Sequence, residues 1–61
     1  MTDQEIIDRA YAATIEKIYS VLFDALLMAK DAVQRKDAED RFQAGVRKAR
    51  EIRERAKQLL P

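Results

Sequence analysis

The chain has 61 residues, no cysteine and no histidine, and a formal net charge of +1. A chain of this size buries only about 60% of the surface it exposes when unfolded, so its core needs help from a disulfide, a metal or a partner. The composition excludes a disulfide, a thiolate or imidazole metal site, and every Cys/His or Ser-His-Asp nucleophile arrangement. Oligomerisation is left as the expected source of stability.

Hydrophobic residues make up 48% of the chain and charged residues 38%, with one Gly and one Pro, the Pro being the last residue. So few breakers, together with ten alanines and many Glu, Lys, Arg, Leu and Gln, describe an all-α protein. Residues 1–61 read as a single helical domain. The longest apolar stretch, Val21 to Ala29, is interrupted by Asp24 and is far short of the roughly 20 residues a membrane span needs. The first residues, MTDQEIIDR, lack the basic-then-apolar layout of a signal peptide. A cytoplasmic protein with no membrane role is expected.

The first predicted helix runs from about residue 3 to 34. Thr2 followed by Glu5 fits a capping box, and Asp3 suits the positive end of the dipole. Ile7, Tyr11, Ile15, Ile18, Leu22, Leu26, Ala29 and Val33 recur at helical spacing. Phe23 and Ala12 widen that stripe on one side, and Val21, Met28 and Ala10 on the other. Asp24 falls opposite the stripe and should face water.

A turn is placed at 35–37. A helix continuing through it would set Lys36 and Glu39 or Asp40 in core positions, and Asp37 can cap a new helix with Glu39 and Asp40 in its first turn. One continuous helix of about 58 residues is the rival, since no Gly or Pro enforces the turn. The second helix runs from about 38 to 60, with Ala38, Phe42, Gly45, Val46, Ala49, Ile52, Ala56, Leu59 and Leu60 as its narrower stripe. Gly45 and Ala49, one turn apart, offer a close helix–helix contact. Gly45 costs about 1 kcal/mol against Ala within a helix, which points to a packing reason for it. Residues 1–33 carry six acids against three bases, and residues 41–61 seven bases against two acids, so an antiparallel hairpin brings opposite charges together.

Folding about residue 36 sets Leu60 level with Ala12. Ile6, Ile7, Ala10 and Tyr11 then overhang without a partner, and the helix 1 face is too wide for one narrow helix. The expected architecture is therefore an antiparallel two-helix hairpin that self-associates as a dimeric four-helix bundle. Ile7, Tyr11, Ile15, Ile18, Leu22, Phe23 and Leu26 are the candidate oligomer interface. A protein partner on the same helix 1 face is the other occupant considered.

Chemistry is sparse. No phosphate loop, Walker motif or nucleophile elbow occurs. Glu51/Glu54 and the Asp37-Glu39-Asp40 cluster read as solvated surface charges beside Arg50, Arg55 and Arg41. No enzyme activity, cofactor or metal is expected. Arg47, Lys48, Arg50, Arg55 and Lys57 form a basic surface on helix 2 that a nucleic-acid phosphate backbone would need. Glu51 and Glu54 interrupt it, no aromatic residue is interleaved for base stacking, and Arg47–Glu51, Glu51–Arg55 and Arg50–Glu54 can pair at i,i+4. An ion-paired, solvated face is the expected state, with a nucleic-acid regulator as the alternative function. Arg53, inside the apolar zone, is expected near Ile18 and Tyr19 with Glu16 in reach. The function read from the sequence is a non-enzymatic interaction or assembly module: a small regulator, a subunit of a larger complex or a designed bundle.

Overall fold

The computed structural model describes all 61 residues as two antiparallel helices, α1 (Asp3–Met28, 26 residues) and α2 (Ala32–Gln58, 27 residues). No strand is present. The hairpin is a single layer: its Cα extents are 48 × 17 × 7 Å and its radius of gyration is 14.4 Å. A compact domain of this length has a radius near 10.5 Å, so the molecule is distinctly elongated.

The N-terminus of α1 forms as its residues dictate. Thr2 is extended, and its Oγ1 accepts from the Glu5 backbone N–H at 3.2 Å while its hydroxyl donates to Glu5 Oε1 at 3.1 Å. Asp3 and Glu5 lie in the positive first turn, where negative charge is favoured.

The turn is Ala29-Lys30-Asp31, six residues before the expected 35–37. Ala29 leaves the helix in an extended conformation, and Asp31, also extended, caps α2. Asp31 Oδ1 accepts from the Gln34 N–H at 2.8 Å, and Gln34 Oε1 accepts from the Lys30 N–H at 2.8 Å. This reciprocal pair satisfies the Gln34 N–H, which a helix start otherwise leaves open, and the Lys30 N–H of the turn. Asp37 lies inside α2 and pairs with Arg41 one turn on. The helix bounds therefore move from about 3–34 and 38–60 to 3–28 and 32–58. Lys36, Glu39 and Asp40 are exposed within α2, so the polar residues that argued for a break simply lie on its outer face. Val33, placed in the α1 stripe by its spacing, sits exposed in the first turn of α2.

The earlier turn makes the two helices nearly equal in length, at 26 and 27 residues, and removes the overhang. Ile18 meets Gly45, Tyr11 meets Arg53, and Asp8 meets Lys57. Residue pairs at the same level thus sum to about 64, so Ile7, Ala10 and Tyr11 lie beside Ala49, Ile52 and Ala56, with which they line one groove. The seam is thin: Ala38 is the one buried residue, at 7% exposure.

Candidate interaction surface

Ile7, Tyr11, Ile15, Ile18, Leu22 and Leu26 are all half-buried on the side of α1 that meets α2. The structure brings these six candidate interface residues together as the seam within the chain. Phe23 lies outside it, 50% exposed. Its ring stands 6.4 Å from that of Tyr19, tilted by 32°.

Gly45 faces Ile18, and a Cβ built there would meet Ile18 Cδ1 at 3.4 Å. Ala49 is half-buried one turn on. The helices approach over these small residues, and the Ile18 side chain occupies the space above Gly45.

Arg53 reaches Tyr11 instead of Ile18 and Tyr19, because the earlier turn slides α2 along α1. Its guanidinium carbon lies 4.4 Å from the Tyr11 ring centroid, within the range of an attractive cation–π contact. Its Nε is enclosed without a hydrogen-bond partner, and Glu54 Oε2 stands 3.6 Å away. Beyond it, Lys57 Nζ binds Asp8 Oδ1 at 2.9 Å, the one ion pair that joins the two helices. Both contacts lie at the open end of the hairpin and follow from the register that the earlier turn sets.

The three ion pairs expected along α2 do not form. Glu51 approaches Lys48 at 3.9 Å and Glu54 approaches Arg53. Several cations surround each exposed carboxylate, and exchanging one such partner for another costs little. The five basic candidates are also dispersed. At 100° per residue, Lys48 and Arg55 point to one side of the hairpin, Arg50 and Lys57 to the other, and Arg47 away from both. Lys57 is already engaged by Asp8.

The two broad sides of the hairpin differ in kind. On one, two shallow apolar grooves run end to end. Ile18, Val21, Leu22, Ala25, Ala38, Phe42 and Gly45 line the first with Lys17 and Arg41, and Ile7, Ala10, Tyr11, Thr14, Ala49, Ile52 and Ala56 line the second with Arg53. Lys48 and Arg55 border Ile52 and Leu59 on the same side. Arg41, Lys48 and Arg55 therefore form a heptad-spaced basic edge to this groove face, a spacing visible in the sequence. The opposite side carries Ala12, Tyr19, Phe23 and Val46, flanked by Asp8 and Glu16 on α1 and by Arg50 and Lys57 on α2.

Both sides leave apolar surface in solvent. Val21 is 67% exposed and Tyr19 58%. The chain's accessible surface is 5126 Å², where a folded monomer of 7.1 kDa has about 4,100 Å². The excess is about 1,000 Å². No helix is long and apolar enough to cross a membrane, and no cluster of three or more carboxylates is arranged to hold a metal ion. The molecule is an open helical hairpin with two unequal apolar faces. No protein-family model, curated protein or solved structure matches the chain.

Proposed function

We propose that the chain is a self-associating helical assembly module, whose hairpin is completed by a second copy as a four-helix bundle. One observation supports this above the rest: a single residue of 61 is buried. A sequence with 48% hydrophobic residues in a layer one helix deep leaves its apolar surface half paid for, and a second layer covers it. The excess of about 1,000 Å² exceeds the roughly 800 Å² per partner that a standard stable interface buries.

On the basic edge of the groove face Arg41 and Lys48 are already paired with Asp37 and Glu51, and Arg50 and Lys57 point to the other side, which favours this reading over nucleic-acid binding, for which free bases must be gathered on one accessible face. The carboxylates are exposed and lie along helix surfaces, with no cleft to hold a substrate between them.

Sedimentation equilibrium over a wide concentration range tests the reading. A mass twice that of the chain at tens of micromolar is expected. A helical, monodisperse 7.1 kDa species at that concentration overturns it.

A further inference from the structure

We infer that the second copy docks on the Tyr19/Phe23/Val46 face, with Glu16 of each protomer set against the partner's Arg50. The inference rests on self-association and specifies the face and the orientation that carry it.

Charge distinguishes the two faces. The groove face is bordered by Lys17 and Arg55, which have no ion-pair partner, and by Arg41 and Lys48, which are paired with Asp37 and Glu51. A second copy seated there sets the unpaired Lys17 and Arg55 of each chain on one interface, and like charges across an interface count against it. The aromatic face is of mixed sign, with acids on its α1 edge (Asp8, Glu16) and, on its α2 edge, bases toward the open end (Arg50, Lys57) and Glu39 toward the turn. Such a face is complementary to itself whenever α1 of one copy lies over α2 of the other.

Register supports the same arrangement. A two-fold axis parallel to the helices sets α1 over the partner's α2 and preserves height along the axis. Level pairs within the chain follow from Ile18 with Gly45, Tyr11 with Arg53 and Asp8 with Lys57. By that register Tyr19 falls over the partner's Val46. Glu16 falls about two residues, roughly 3 Å, from the partner's Arg50. Asp8 and Lys57 are already paired within each chain, which leaves Glu16 and Arg50 as the groups free to pair across the interface. The alternative axis, perpendicular to the helices, stacks α1 on α1 and sets Glu16 near its own copy at the middle of the hairpin, as it does Arg50. The exposed Tyr19–Phe23 pair supplies rigid apolar area at the centre of the patch, the kind of residue that anchors interfaces.

Charge exchange tests the inference. Sedimentation equilibrium, with circular dichroism at each concentration, is run on the wild type, Glu16→Lys, the double variant Glu16→Lys/Arg50→Glu, and Val21→Gln on the groove face. Two Glu16–Arg50 pairs occur per dimer, so Glu16→Lys should weaken association about tenfold or more. The double variant should return it to within about threefold of wild type, along with any helicity the single variant loses. Val21→Gln should leave it within about threefold. A double variant no tighter than Glu16→Lys overturns the pairing. A dimer indifferent to Glu16→Lys but dissociated by Val21→Gln overturns the face while leaving self-association standing. A wild-type monomer overturns both.

Discussion

Gly45 is the one glycine of the chain and sits in mid-helix, where it lowers stability by about 1 kcal/mol relative to Ala. The neighbour an added methyl would meet is the terminal carbon of Ile18 at 3.4 Å, the far end of a side chain that can turn. Gly45→Ala should therefore stabilise the hairpin by about 0.5–1 kcal/mol, read as a raised thermal midpoint at fixed protein concentration. Destabilisation would mean that Ile18 cannot yield, and that the helix approach requires a bare backbone. Arg53 poses a different balance. Its stem lies along the seam and its guanidinium covers Tyr11, but its Nε is enclosed without a hydrogen bond. Arg53→Ala loses packing and the ring contact together and should cost about 1–2 kcal/mol in urea unfolding. Arg53→Met keeps the stem, removes the desolvated nitrogen and should recover at least half of that loss. The residue types were legible here and their partners were not. Helical spacing placed Arg53 in the apolar zone, but its neighbour depended on where the chain turns.

That turn is the lesson at the scale of the element. Two aspartates, Asp31 and Asp37, could each cap a second helix, and each is followed three residues later by a polar side chain. What separates them is that Gln34 returns the hydrogen bond, accepting from the Lys30 N–H while donating its own N–H to Asp31. Asp40 is occupied instead with Lys36. The D-x-x-Q pattern at 31–34 was present in the sequence. It was masked because Ala29 and Val33 continue the α1 periodicity across it with no Gly or Pro between. The existence, antiparallel order and apolar stripes of both helices were readable from periodicity, as was the Thr2–Glu5 cap. The register was not, since it depends on a local competition between two caps that periodicity ignores. Asp31→Ala should cost about 1 kcal/mol, while Asp37→Ala, which removes only an exposed pair with Arg41, should stay within about 0.5 kcal/mol. Thermal unfolding of the two variants separates the turns, and a reversed order would return the break to residues 35–37.

At the scale of the molecule, a layer one helix deep cannot enclose a core, however well its seam is packed. Leu22 shows how much the seam matters: it lines one groove with Ala38 and Phe42, at the most buried point of the chain. A carboxylate there loses solvent without gaining a partner, so Leu22→Asp should cost several kcal/mol, comparable with the whole 5–15 kcal/mol stability of a small domain. Asp24 stands two residues away among apolar neighbours in sequence yet is exposed, so Asp24→Ala should stay within about 0.5 kcal/mol. If association and folding are one process, the consequence reaches beyond single variants. The thermal midpoint of the wild type should rise with protein concentration, because mass action favours the assembled folded state. Asp24→Ala should follow the same rise, and Leu22→Asp should show little helix at any concentration. Circular dichroism melts across a hundredfold range of concentration measure all three. A wild-type midpoint that does not move would mean that the hairpin folds alone, with its apolar faces left to water or to a different protein.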